Sequence, residues 1–472
     1  MMAIRTHAPL FPVTPWAAQE EALLPGQMTL AETIFSLANG YVGTRGTFEE
    51  GVEGNPSSIE GTYLNGLFLR QEIHYEESAY GFATHNHKML QIPDGKEIRL
   101  TIDGESYDPY IEHCRSHTRT LDFRTGISER RTRWQLPDGR EIEVQVQRLL
   151  SFSNPHAMAI RFAVTPLNFT GNIRLESALN AAYGQHLIKH EEDPRAGHLL
   201  ITDHLDLMEA QHTPEQLTFL HWIRGSDHLV GSACRHRCEL AQPENDRVNQ
   251  DYTAMRVRFE ALLQEGETLR LDKFIAYHDA HTNEQDALKS QLCDTLEHCC
   301  WSGFDGLAQQ QEGALSEFWK YADVTIDGAD ALQQGIRFNL FQIFQSTGKD
   351  GRRAIGAKGL SGPGYDGHYF WDTEIYIIPF YVFTQPAIAR ALLCYRHALL
   401  DQSRHRARLM GHDKGAQYAW RTIGGEECSS FFPAGSAQYH INAAIAYAIL
   451  QYLDATDDWQ FMIEYGAEML MK

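Results

Sequence analysis

Near residue 280 the spacing of apolar residues changes from every second position to every third or fourth, and no single element type accommodates both periods. From about residue 90 to about residue 275, apolar and polar residues alternate, as in strands with one buried face. Ile98, Leu100 and Ile102 form one such run, flanked by the turn-forming pairs Asp94-Gly95 and Asp103-Gly104. The clearest hairpin joins Arg131–Leu136 to Glu141–Gln147 across Pro137-Asp138-Gly139. Met158–Val164, Ile173–Ser177 and Tyr252–Phe259 read as further strands, and so many at short spacing predict a large antiparallel β-sandwich.

After Thr282 the period is helical. Glu284 to Cys300 is polar and helix-forming, and reads as a linker helix. Leu332, Ile336, Leu340, Ile343 and Phe344 mark one broad apolar face. Pro386 opens a helix where its missing N–H is harmless, with Ile388, Leu392, Tyr395 and Leu399 along one side; Ile441, Ile445, Ala448 and Tyr452 line the next. Amphipathic helices joined by glycine-rich polar loops suggest an α/α barrel, with a site where the loops converge.

Bulk properties narrow the function. A chain of 472 residues with 43% hydrophobic and 22% charged residues has material for two or three domains and a normal core. Its 41 Lys and Arg against 62 Asp and Glu give a formal charge of -21, which disfavours nucleic acid and anionic membranes as partners. The 8 cysteines show no metal or disulfide framework: Cys234 and Cys238 lack a second ligand pair, and Cys299 and Cys300 point in different directions on a helix. Met1 to Glu21 lacks the pattern of a signal peptide, and no segment is apolar for long enough to span a bilayer. A cytoplasmic protein without a metal or other cofactor is the expectation.

Three polar constellations interrupt the helical half. In Gly364-Tyr365-Asp366-Gly367-His368-Tyr369-Phe370-Trp371-Asp372-Thr373-Glu374, glycines allow close backbone approach, an indole offers a flat face to a sugar ring, and a carboxylate can accept from its hydroxyls. The alternative is a tight loop with a core Trp and a capping Asp. Ile375 to Phe380 then reads as a buried wall. In Gly415 to Cys428, Trp420 could stack on a second sugar while Arg421 and Glu426 bond its hydroxyls; the alternative is a long loop with a surface salt bridge. Ala434 to Asn442 opens a helix, with Gln438 able to face a cavity and His440 read as a satisfied wall residue. No phosphate-binding loop, H-E-x-x-H or G-x-S-x-G motif occurs.

Phe370-Trp371-Asp372-Thr373-Glu374, the Trp420 to Cys428 loop and Tyr465-Gly466-Ala467-Glu468 resemble glycoside hydrolase family 65, the inverting phosphorylases of α-linked glucose disaccharides. Ala38 to Glu50 and Gly61 to Gly66 are similar to that family's opening signature. The resemblance implies an N-terminal antiparallel β-sandwich over residues 1–277, a helical linker over 278–322 and the first part of an (α/α)6 catalytic barrel over 323–472. It further implies that Trp371 and Asp372 hold the transferred glucosyl unit and that Trp420, Arg421 and Glu426 border the acceptor. Inorganic phosphate would be the co-substrate, and the intact protein could form a homodimer. Arg421, where kojibiose-type members have Glu, favours a trehalose-type preference.

The family's general-acid glutamate lies in a later Gly-Pro-Asp-Glu-Tyr stretch, followed by a Lys-Gln pair and a phosphate loop, and none of these occurs here. No catalytic acid is therefore carried over. The expectation is a C-terminally truncated chain, inactive alone; a hydrolase of the same family and a non-catalytic sugar-binding module remain as alternatives.

Overall fold

The computed structural model describes residues 11–51, 58–109, 114–181, 204–245, 253–362, 364–430 and 433–471. Its first part is antiparallel β-structure and its last part is helical. A nine-stranded sheet carries, in spatial order, Ala17–Glu20, Cys114–Asp122, Ile127–Gln135, Glu141–Leu150, Ala157–Pro166, Leu269–His281, His228–Cys238, Gln216–Ile223 and Leu205–His212. A five-stranded sheet built around Gly171–Asn180 and Ala254–Leu263 shares its core, and a four-stranded sheet includes the long strands Thr62–Glu72 and His85–Gln91. The expected hairpin is present, with Trp134 opposite Ile142 and Thr132 opposite Val144.

Alternation explains how the nine-stranded sheet is buried on both faces. In Ala157–Pro166, Met158, Ile160 and Phe162 join the core shared with the five-stranded sheet. Ala157 and Ala159 point the other way, where small side chains let a helix approach. That helix, Gln285–Ala322, is 38 residues long, with a local break at Gly303, whose φ of 66° suits glycine. Leu288, Leu292 and Leu296 repeat every four residues and pack on Leu149, Leu229 and Phe274. Full burial of each leucine contributes roughly 1.5–3 kcal/mol. The linker segment is thus less uniformly polar in role than its composition suggested, since its leucines form one apolar stripe.

The helix Asp330–Ser346 departs from the expected face. Leu332 is 65% exposed, whereas Gln333 and Arg337 are buried. Gln333 accepts from the Ile326 N–H and donates to the Val324 carbonyl; Arg337 forks onto Asp323 at 2.8 and 2.9 Å and lies over the Trp16 ring. Satisfied polar groups displaced leucine from the buried side. Helices Pro386–Ala398 and His440–Thr456 do bury the expected apolar positions, from Ile388 to Tyr395 and from Ile441 to Tyr452. All 8 cysteines are free, and among the described residues no helix is long and apolar enough to cross a membrane.

The N-terminal signature docks the β-structure onto the helical part. Asn65 Nδ2 donates to the carbonyls of Gly40 and Ala354, both at 2.9 Å, while its Oδ1 accepts from Tyr369 Oη. Gly40, at φ 90°, lies so close to Thr347 that a Cβ would meet its carbonyl oxygen.

Buried imidazoles make this fold acid-sensitive. Burial pushes His221 down to about 4, and burial with the neighbouring His156 ring pushes His278 down to about 3. A folded-state value below the ordinary 6.5 means that the unfolded chain binds more protons in between, so stability is present above about pH 6.5 and is lost as pH falls. We expect the urea midpoint to fall between about pH 6.5 and 4, with His221 responsible for about 3 kcal/mol of unfolding free energy at most. His221→Gln should flatten the slope; an unchanged slope would remove His221 from the titrating set.

Candidate functional site

Two of the three constellations meet through a short antiparallel ladder. Tyr369 pairs with Thr422 and Phe370 with Arg421, so the backbone itself brings Trp371-Asp372 beside Trp420. Phe370 and Trp420 stand edge to face, with ring centroids 5.7 Å apart. Trp371 is partly buried and meets the His440 ring edge to face at 4.8 Å. His440 is exposed and not a satisfied wall residue, because the start of its helix lies at the rim with the third constellation. Gln438 donates to the Ala434 carbonyl in its own turn.

The turn before the ladder is strained. Tyr365 and Asp366 both adopt φ 55°, followed by Gly367 at 77°. For the two non-glycine residues this left-handed backbone is costly and needs outside support. Asp366, buried, accepts from Arg421 Nη2 and Asn86 Nδ2, both at 3.2 Å. His368 Nδ1 accepts from Arg421 Nε, and burial, with the adjacent Arg421 charge, holds His368 well below its ordinary value, so it is neutral. Arg421 is accordingly 2% exposed and committed inward to Asp366 and His368. Burial lowers its own value despite the Asp366 charge.

Asp372 is exposed at the start of a wide helical turn, Thr373–Ile377, which runs into Ile378–Thr384. Such π-turns insert one residue and re-aim neighbouring side chains. Two residues on, Glu374 is sealed inside: Arg396 Nε and Nη2 donate to its two oxygens at 2.6 and 2.8 Å, and both side chains are almost fully buried. Arg396 Nη2 also reaches the Phe370 carbonyl at 3.4 Å. The expected wall from Ile375 to Phe380 is only partly buried; Tyr376 is 69% exposed, because the wide turn rotates it outward.

Glu426 is bound to the β-structure. Arg70 Nε and Nη2 donate to its oxygens at 2.8 and 3.0 Å. His87 Nδ1 faces the N–H groups of Ile423 and Gly424, so Nε2 carries the proton and donates to Glu426 at 3.3 Å. The His87 hydrogen bond and then Arg70 bring Glu426 down to about 2. Glu427 is the opposite case: burial raises it, while Trp420 N–H and the backbone and hydroxyl of Ser429 occupy its oxygens. Both glutamates line a cavity of about 370 Å³ with Arg70, His85, Gln402 and His405, large enough for a small polar ligand.

The structure therefore brings Trp371, Asp372 and Trp420 to one rim and places Arg421 and Glu426 in ion-pair networks behind and beside it. Sequence reasoning missed Arg396, Asn86, His87 and Arg70. Asn86, His87 and Arg70 lie 280, 339 and 356 residues from their partners. For Arg396 the available signal was an arginine directly beside Tyr395 on the apolar side of a helix.

The sequence matches the family description Glycosyl hydrolase family 65, N-terminal domain, over residues 18–318, and Glycosyl hydrolase family 65 central catalytic domain over 337–472. It is 40% identical to an alpha,alpha-trehalose phosphorylase of Thermoanaerobacter brockii, over 100% of this chain and 61% of that protein. The alpha,alpha-trehalose phosphorylase of Geobacillus stearothermophilus is 37% identical over 97% and 59%, respectively. A kojibiose phosphorylase of Caldanaerobacter subterraneus subsp. tengcongensis is 32% identical over 93% and 57%. A solved structure provisionally named a kojibiose phosphorylase, from the human microbiome, superposes with a TM-score of 0.87 at 24% identity, over 97% of this chain and 58% of that one. At that identity the likeness speaks for the fold alone. The chain spans about three fifths of the length of these relatives.

The sealed ion pair generates a test. Glu374→Gln leaves Arg396 buried without its countercharge and should destabilise the protein by about 3–5 kcal/mol. Glu374→Leu with Arg396→Met, which removes both charges, should cost far less than the sum of the single changes. Urea unfolding of the cycle measures this, and additive effects would show that the pair is not coupled.

Proposed function

The chain belongs to glycosyl hydrolase family 65, and from that membership we propose that it carries the glucose-binding part of an inverting phosphorylase of an α-linked glucose disaccharide, trehalose before others. The observation that carries this reading is the ladder of Tyr369–Phe370 on Arg421–Thr422, which joins an exposed carboxylate to two indoles at one rim. In this reading Trp371 offers its ring to the transferred glucosyl unit and Asp372 accepts from its hydroxyls, bonds that strengthen as positive charge develops at the anomeric carbon. Trp420 borders the acceptor sugar. Arg421 and Glu426 contribute to that wall as fixed members of their networks, shaping it rather than offering free donors and acceptors. Phosphate attacks the anomeric carbon from the face opposite the departing oxygen, which an acid protonates, giving β-glucose 1-phosphate and glucose.

Trehalose is favoured by the higher identity to the two trehalose phosphorylases, 40% and 37%, than to the kojibiose phosphorylase, 32%. The divisions at 277 and 322, a barrel begun by the helices after 323, a cytoplasmic location and a homodimer of the intact protein belong to the same reading.

The three glutamates near the rim are not suited to be the proton donor, and Asp372 is assigned to the sugar hydroxyls. Glu426 is held ionised down to about pH 2, Glu374 is sealed by Arg396, and the oxygens of Glu427 hold the Trp420 loop. We therefore expect residues 1–472 to bind glucose but to release no glucose 1-phosphate from trehalose, maltose, nigerose or kojibiose. A well-placed acid is worth about a hundredfold to ten-thousandfold by itself. Clear turnover would assign the acid to Glu427, whose value burial raises. Asp372→Asn should weaken glucose binding, read by tryptophan fluorescence, by about tenfold or more while leaving the circular dichroism unchanged. Unaltered binding would remove Asp372 from the site, and tighter binding of kojibiose than of trehalose would overturn the substrate preference.

A further inference from the structure

At the end of the nine-stranded sheet remote from these loops in sequence, two histidines face each other across neighbouring strands. His228 opens the strand His228–Cys238 and is in register with His281, the last residue of Leu269–His281. Their ring centroids are 4.8 Å apart and tilted by 31°. Asp227, in the turn before His228, places one oxygen 3.4 Å from His228 Nε2 and the other 3.2 Å from His281 Nδ1. One ligand atom from each of the three residues lies within 4.8 Å of the other two.

These separations are long for hydrogen bonds between imidazolium and carboxylate, which settle near about 2.7–2.9 Å. Arg70 and Glu426 in the same protein close to 2.8 Å. One ligand atom from each residue converges within 4.8 Å, so a small side-chain adjustment would bring all three into one shell with bonds of about 2.0–2.1 Å. The positions are also fixed in advance. Strand register holds the two imidazoles, and Thr282 N–H donates to the Asp227 carbonyl at 2.8 Å. His228 turns Nε2 toward Asp227, while its Nδ1 is buried without a hydrogen-bond partner among the described residues. The side chains are 73%, 41% and 56% exposed for Asp227, His228 and His281, which lets an ion enter and leaves a fourth position to water.

We propose that Asp227, His228 and His281 form a binding site for a divalent transition-metal ion of the zinc type. Two neutral imidazoles and one carboxylate suit zinc, cobalt or nickel, and disfavour the all-oxygen shells of magnesium and calcium. The ion would staple the hairpin turn at Asp227 to the point where the last strand passes into the helix Gln285–Ala322, and so stiffen the connection between the β-structure and the helical part. Asp227 and His228 are adjacent, but His281 stands 54 residues from Asp227, without the close spacing of a recognisable zinc motif.

The test uses the whole chain, stripped with a chelator and titrated with zinc chloride by calorimetry, or with Co2+ followed by its visible absorption. We expect one site, with zinc raising the melting temperature and cobalt giving the intense spectrum of tetrahedral coordination. His228→Ala and His281→Ala should each abolish that site, and Asp227→Asn should weaken it by about tenfold or more. Near-UV circular dichroism confirms that these surface variants are folded. Binding that persists in the doubly substituted His228→Ala, His281→Ala protein would place the metal on other histidines. The absence of zinc binding below about 1 mM, a free energy of only about -4 kcal/mol, would overturn the proposal outright.

Discussion

Arg396 occupies the junction at which the candidate site depends on the helical scaffold. Its guanidinium closes on both oxygens of Glu374 and reaches the Phe370 carbonyl, so one side chain holds the residues on either side of Trp371 and Asp372. An ion pair so completely buried is a poor source of net stability, because desolvation offsets most of its attraction. Its consequence is geometric. With Glu374 drawn inward and a wide turn between Thr373 and Ile377, Asp372 is left facing outward. Losing either partner strands a charge in the interior, so the rim and the helix beneath it stand or fall together.

A second network ties the same rim to the β-structure. Arg421 supports the left-handed turn at Tyr365 and Asp366, Asn86 bonds the same Asp366, and Asn65 receives the Tyr369 hydroxyl. Arg70 and His87 come from the paired strands Thr62–Glu72 and His85–Gln91 and grip Glu426. The N-terminal half is therefore a wall of the candidate site as well as a neighbouring body. This accounts for a signature such as Ala38 to Glu50 serving backbone fit, with Gly40 against Thr347 and Gly43 against Leu360.

The alternation of strands and the stripes of the later helices were legible because burial on a period of two or three and a half leaves a one-dimensional trace. Ile98–Ile102 and the hairpin around Asp138-Gly139 are found where the pattern puts them. The helix Asp330–Ser346 was misread where polar side chains take buried positions: Arg337 is inside because Asp323 and Trp16 satisfy it, and neither partner is announced by local spacing. The site behaves the same way. Trp371, Asp372 and Trp420 were visible as types at a glycine-rich turn, while the inward commitment of Arg421 depends on a strained backbone and on a histidine 53 residues away. Residue type reveals what a group can do; partners distant in sequence decide whether it is free to do it.

The carboxylates around the rim show how far environment divides one chemical group into different roles. Asp372 is exposed, and remains available to a ligand. Glu374 is sealed by a guanidinium and fixes the scaffold. Glu426, bonded by His87 and Arg70, stays charged down to about pH 2, its charge balanced by the Arg70 guanidinium. Glu427 is the next residue; burial raises it, while the Ser429 hydroxyl, the backbone N–H groups and the Arg406 charge restrain it. Proton transfer needs a group whose affinity lies near the working pH and whose oxygen reaches the substrate. Burial shifts Glu427 upward, but its oxygens are engaged in holding Trp420 and Ser429. In the proposed reading the rim binds and orients a sugar, while Glu374, Glu426 and Glu427 are each committed to a contact within the protein rather than to a departing oxygen.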